Sequence, residues 1–255
     1  MIALALRDME LLTKRLPRHL KTLLMDNPFG GYGGHLYLAG GSIRSILGGE
    51  KVSDYDIFGS SLAVLKHGEE VIKRKLADQG VKSVATQNAV TITASGVTPV
   101  QFITKWVYNF PVDLLREFDF TVAKAILYYN KDAKWVGVAD ENFYSDLAGK
   151  RLVYSGTGGT PGGSILRMVK LLRRGYGIQV DSLAKLLVRV QSETGAYRES
   201  GQLREGENWE ESYLHILREV DPPTSVSGRH VDRPTVAEMN DPGYKPLDLS
   251  FRGDE

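Results

Sequence analysis

Gly40-Gly41-Ser42-Ile43-Arg44 and the acids Asp54 and Asp56 combine residue types and spacing that could do chemistry. Two glycines after the short apolar run Leu36-Tyr37-Leu38-Ala39 let a backbone approach a ligand closely and leave N–H groups free. The residues that follow predict a turn of helix, whose N-terminus favours an anion such as a triphosphate. Ser42 offers a hydroxyl, and Arg44 a planar, permanently charged partner. Asp54 and Asp56 are two apart, so on an extended chain both carboxylates share one face. Paired hard oxygens suit Mg²⁺, which takes one or two carboxylates and completes its shell with water and substrate phosphates. Such a metal orients and polarises phosphates in phosphoryl chemistry.

The surrounding elements must position these groups. Leu12, Leu16, Leu20, Leu23 and Leu24 lie on one face of a helical pattern over residues 1–25 that Pro17 kinks or divides. Strands are expected at Leu36 to Ala39, Tyr55 to Phe58, Val81 to Ala85, Ala89 to Ala94, Val100 to Thr104 and Trp135 to Val138, with a helix over 61–78. Pro111 opens a short helix through Arg116, while the apolar segment from Phe118 to Leu127 fits strand or helix. The run from Gly156 to Gly163 matches neither a Walker A nor a GxGxxG pattern and reads as a loop; a helix then starts at Ser164 and stops near Gly175, and another spans Ser182 to Ser192. On the first of these, Arg167, Lys170 and Arg174 form a basic stripe opposite Ile165, Met168, Val169 and Leu172. Five of the ten prolines fall in the last 34 residues, where only Trp209 to Val220 has helical periodicity; this tail reads as extended and is a candidate surface for a protein partner.

The ordered set of motifs resembles the DNA polymerase β-like nucleotidyltransferase superfamily, nearest to the head domain of tRNA CCA-adding enzymes and bacterial poly(A) polymerases. Leu38 to Arg44 with Asp54 to Phe58 is similar to its GG-x-x-R … D-x-D head. Phe118 to Ala125 is similar to its R-D-F-T-x-N-A element, and Asp146-Leu147, Lys150, Leu152 and Ser164 to Met168 to the run into its helical neck. The resemblance covers about residues 35–175. It implies an α+β fold: a mixed nucleotidyltransferase sheet flanked by helices, followed by a small helical neck and an extended tail. The expected divisions are a head at 1–155, a neck-like segment at 156–198 and a polar, Pro-rich tail at 199–255.

By the same resemblance, Asp54 and Asp56 are the catalytic, metal-holding acids. Gly40, Gly41, Ser42 and Arg44 hold the triphosphate, Asp119 lies near the nucleotide sugar, and Arg167 opens the neck. The implied cofactor is Mg²⁺ or Mn²⁺, the substrate an NTP, and the acceptor a hydroxyl on RNA such as tRNA. The superfamily's small relatives include tRNA-modifying toxins, defence enzymes and phage-encoded proteins. Three positions depart from the pattern. Gln101 stands where a third acid is expected, and is a metal ligand only through its amide oxygen. Trp106 and Phe118 stand where arginines are expected, and no Glu-Asp-x-x-Arg base-reading motif is legible. These departures define the alternative: a degenerate member that binds nucleotide, RNA or protein, or serves assembly, without turnover.

Composition sets outer bounds. The 255 residues carry 32 Lys+Arg against 31 Asp+Glu, a net charge of +1, so any basic surface is local. The absence of cysteine excludes a disulfide scaffold and cysteine-ligated metal. No apolar run has the length of a membrane span and the N-terminus lacks signal-peptide features, so a cytoplasmic protein without a membrane partner is expected. The five histidines are scattered with no ligand spacing.

Overall fold

The computed structural model describes residues 1–27, 34–156 and 159–199, with side chains to 196. The expected helix at Trp209 to Val220 and the Pro-rich tail lie outside the described residues. An eight-stranded sheet dominates: β1 (Ile2–Ala3), β2 (Leu36–Ala39), β3 (Tyr55–Gly59), β4 (Lys82–Ala85), β5 (Ala89–Ala94), β6 (Val97–Val107), β7 (Ala125–Tyr129) and β8 (Trp135–Ala139), in the spatial order β1-β8-β7-β2-β3-β6-β5-β4. The β3–β6 pair is parallel and the others are antiparallel. The sheet is therefore mixed, as the resemblance implies.

The leucine-rich N-terminus divides at Pro17 into α1 (Leu6–Arg15) and α2 (Arg18–Asp26). With α3 (Gly41–Leu47) and α4 (Leu62–Lys75), they complete a core against one face of the sheet, where Leu38, Ile57, Val100, Phe102 and Leu127 are buried. Gly68 of α4 allows the close approach: a Cβ there would lie 2.8 Å from Leu36 Cδ1 and Phe102 Cε1. The opposite face is covered by a smaller cluster in which Leu114 and Leu115, from α5 (Pro111–Leu114) and the 3-10 turn after it, pack on Tyr37, Ala39, Phe58 and Ile126.

The ambiguous segment after Phe118 becomes a 3-10 turn, Thr121–Ala123, followed by β7. Several short elements went unread in the sequence, β1 and the helix α6 (Phe143–Ala148) among them. The two-residue β1 pairs with β8, and α6 is tied down through buried Asp146, which accepts from Thr121 Oγ1 at 2.6 Å and meets Arg151 at 3.0 Å. A third cluster packs Phe120 and Leu152 against α7 (Pro161–Leu172) and α8 (Val180–Glu199), through Leu171, Tyr176, Leu186 and Val190. Short parallel strands β9 (Arg151–Leu152) and β10 (Gly177–Ile178) pair alongside it. The start of α7 corrects the expectation at Ser164. Thr160 is the cap, its hydroxyl accepting from Gly163 N at 3.4 Å, and Pro161 enters the first turn, so the last part of the glycine run is helix rather than loop. No helix among the described residues is long and apolar enough to cross a membrane.

Candidate active site

The site lies on the sheet face opposite the large core. Asp56 on β3 is in register with Ala39 on β2 and Gln101 on β6, and Gln101 with Thr91 on β5. Residues in register on paired strands point to the same side, so Asp56 and Gln101 are neighbours across the parallel pair. Asp54 lies just before β3 rather than within it, and Ser53 Oγ donates to its Oδ1 at 3.0 Å.

The two carboxylates affect one another. Burial, first, and the Asp54 charge, second, push the Asp56 carboxyl up to about 8, opposed by Lys170, Arg167 and Arg44. A carboxylate costly to ionise beside another acid invites a cation. These groups fit Mg²⁺: two hard oxygen donors, with the neutral Gln101 amide in register beside Asp56. Among the described residues no three acids, histidines or cysteines group to hold a metal, so waters and substrate phosphates would complete the shell.

The glycine turn sits over Asp56. Gly40 has φ +80°, a left-handed conformation that favours glycine, and its N–H donates to Ala125 O at 3.0 Å. A Cβ added there would stand 3.0 Å from Phe118 Cε1 and 3.8 Å from Asp56 Oδ2. Phe118, at the position where the resemblance expects an arginine, thus packs on the turn and edge-on against Phe58. Ser42 and Arg44 are buried beneath the turn. The Arg44 guanidinium donates to Ser45 Oγ at 3.1 Å, stacks 5.8 Å from the Tyr176 ring and faces Glu50 at 3.7 Å. Arg44 therefore braces the turn from below and adds positive potential to the carboxylates. With only seven residues, α3 contributes a short dipole, and side-chain cations supply most of the positive charge.

The basic stripe of α7 faces the acids. Arg167 Nε donates to Asp119 Oδ2 at 2.6 Å, with Asp119 only 3% exposed and Arg167 43%. Arg167 and Lys170 both act on the Asp56 titration. Arg174, a turn further on, reaches Glu50 at 3.7 Å and Ser45 at 3.4 Å. The candidates Asp54, Asp56, Gln101, Gly40, Gly41, Asp119 and Arg167 thus gather at one place, with Ser42 and Arg44 directly beneath. Glu50 and Tyr176 were missed by sequence reasoning: neither belongs to a motif, and only the fold brings them to Arg44. Thr160 and Arg189 also act from outside any motif. Arg189 of α8 donates to Tyr154 Oη at 3.0 Å and to the carbonyls of Gly156 and Gly159 at 3.1 and 2.8 Å, which ties the first part of the glycine run to α8.

Comparison with known proteins adds a family. Residues 11–150, more than half of the chain and including the carboxylate pair and the glycine turn, match the Gabija anti-defense 2 family. The chain belongs to the Gabija anti-defense 2 family. No curated protein matches this family member in sequence. Its fold is that of CCA-adding enzyme structures. It is similar to the Thermotoga maritima CCA-adding enzyme complexed with tRNA at 21% identity and a TM-score of 0.55, over 89% of this chain and 53% of that one. It is similar to a CCA-adding enzyme complexed with CTP at 21% identity and a TM-score of 0.53, over 89% and 53%. A CCA-adding enzyme complexed with ATP gives 22% identity and a TM-score of 0.52, over 86% and 51%. The family member spans about half the length of these structures.

Proposed function

We propose that this protein is a metal-dependent nucleotidyltransferase that serves counter-defence against Gabija by transferring an NMP from an NTP to a hydroxyl acceptor. The observation that carries the reading is the Asp56 carboxyl, raised by burial and by Asp54, in register with Gln101 beneath a glycine turn and facing Arg167 and Lys170. Paired acids suit a divalent cation, and cations on the opposite wall suit a polyphosphate. Asp54 and Asp56 would hold Mg²⁺ or Mn²⁺, with Gln101 as a neutral amide ligand. Bound there, the metal supplies polarisation of the α-phosphate and charge neutralisation at the leaving group. Gly40 and Gly41 bring backbone close to the phosphates, Arg167 and Lys170 bind their oxygens, and Asp119 orients Arg167. The acceptor oxygen bonds to the α-phosphorus, the bond to the β-phosphate oxygen breaks, pyrophosphate leaves, and the hydroxyl proton passes to water. An RNA acceptor is supported by the likeness to a CCA-adding enzyme complexed with tRNA, and Gabija as the target system by the family name.

Transfer from each α-labelled NTP onto total tRNA and onto protein, with Mg²⁺ or Mn²⁺, tests the reading. The expected result is a metal-dependent labelled product that the folded Asp54→Ala/Asp56→Ala double variant does not make. Equal product from that variant overturns it. A second reading, a degenerate fold that binds nucleotide without turnover, is favoured by the neutral Gln101 beside Asp56 and by Phe118 packed on Gly40. Under that reading Gln101→Glu adds transfer activity to an otherwise inactive chain.

A further inference from the structure

Next to Ser53, which donates to Asp54, the structure opens a cleft. Its volume is about 820 Å³, and it lies between the loop that leads to Asp54, the turn joining β5 and β6, and the end of α7. That volume falls within the range of small-molecule sites. Its walls have two characters. Val52, Val97 and Pro99 present apolar surface, while Lys51 and Arg174 line it with positive charge. Ser53 and Thr98 add hydroxyls, and Ser53 is the residue that donates to Asp54. The one acid in the lining, Glu50, is committed inward: its side chain is 14% exposed and meets Arg44 and Arg174 at 3.7 Å each. The lining therefore presents net positive charge next to a hydrophobic wall, and Ser53 connects it to Asp54.

We infer that this cleft binds a phosphorylated nucleoside with a free hydroxyl, its base or sugar against Val52, Val97 and Pro99 and its phosphate toward Lys51 and Arg174. An apolar wall with convergent cations fits such a ligand, since the heterocycle supplies flat apolar area and the phosphate a charge-assisted contact. A ligand held there has its hydroxyl beside Asp54. As the acceptor of the proposed transfer, it would form the new bond to the α-phosphorus as pyrophosphate leaves and its proton passes to water. That acceptor role rests on the transfer reading; the binding site does not. The same chemistry comes from a free mononucleotide or from the 3′-terminal nucleotide of a nucleic acid.

The test uses the full chain in EDTA, with AMP and a labelled RNA dodecamer ending in a 3′-hydroxyl as probes, followed by calorimetry and fluorescence anisotropy. Lys51→Glu reverses an exposed charge and Thr98→Trp fills the cleft, and unchanged thermal unfolding shows that each still folds. Binding of AMP marks a mononucleotide site, and binding of the RNA alone marks a nucleic-acid 3′ end. Either is expected to weaken about tenfold in Lys51→Glu, the loss of one charge-assisted contact, and at least as much in Thr98→Trp, which fills the cleft. Wild-type affinity in both variants, or no binding of either probe at millimolar concentration, overturns the site. Metal-dependent labelling that both variants retain in full overturns the acceptor role while leaving the transfer reading standing. Cleft-dependent binding with no labelling by any NTP sustains the site and removes the transfer reading.

Discussion

At the residue scale, Asp56 carries a cost to stability when ionised. Its folded carboxyl lies far above the value of a free aspartate, so the fold favours the protonated form. The stability linked to this group is intact below about pH 4 and is lost as pH rises toward about 8. Asp56→Asn removes the ionisable group. We expect thermal unfolding in EDTA to show the variant matching wild type near pH 4 and exceeding it by a margin that opens as pH rises to 9. A constant difference across that range would show that the carboxyl is not burdened. Asp119 is a buried acid whose strong partner is Arg167. Arg167→Ala leaves that charge without its guanidinium and is expected to cost about 2–4 kcal/mol. In a double-mutant cycle with Asp119→Ala, a coupling of at least about 1.5 kcal/mol in denaturant unfolding is the expected outcome.

At the element scale, the acids are held in place by how α4 and α7 pack. Helix α4 lies close on β2 and β6 because Gly68 has no side chain between Leu36 and Phe102. Gly68→Val adds atoms where a Cβ alone would stand at 2.8 Å, so a loss of about 2–3 kcal/mol is expected in urea unfolding. Because β6 carries Gln101, the same change should also weaken any metal-dependent activity. Helix α7 brings Arg167 and Lys170 to the opposite wall. Its start is defined by Thr160 and Pro161, three to four residues before Ser164. That early start places Gly163 under Arg167, where a Cβ would come within 3.3 Å of the guanidinium.

At the scale of the whole molecule, Glu50 links parts far apart in sequence. It joins Arg44 of α3 to Arg174 beyond α7, and with Tyr176 it ties the helical segment to the sheet. Glu50 stands 3.7 Å from both guanidiniums, so its link to them is mainly one of charge, while Ser45 accepts hydrogen bonds from both arginines. Glu50→Ala leaves two guanidiniums facing each other. The expected outcome is a loss of about 2 kcal/mol, together with faster amide exchange across α7 than across β2 and β3. Uniform exchange rates would show that the junction carries no particular stability.

Sequence alone determined the strands around the glycine turn, the interruption of the helical pattern at Pro17 and the order of the motifs that bring Asp54, Asp56, Asp119 and Arg167 together. These were legible because local causes set them: hydrophobic period, proline geometry and turn chemistry act within a few residues. It also displayed Gln101, but not that this residue is in register with Asp56, since strand pairing joins segments some 45 residues apart. The short β1 and α6 carry too little periodicity to be read, and each exists through distant contacts, with β8 and through Asp146. Only the tertiary structure decided that Ser42 and Arg44 lie beneath the turn, that the stripe of α7 faces the acids, and that Glu50 and Arg174 meet at a cleft beside Ser53. Burial, register and the pairing of charges across elements are properties of the assembled chain, because the desolvation and fields that govern them arise only once the layers pack.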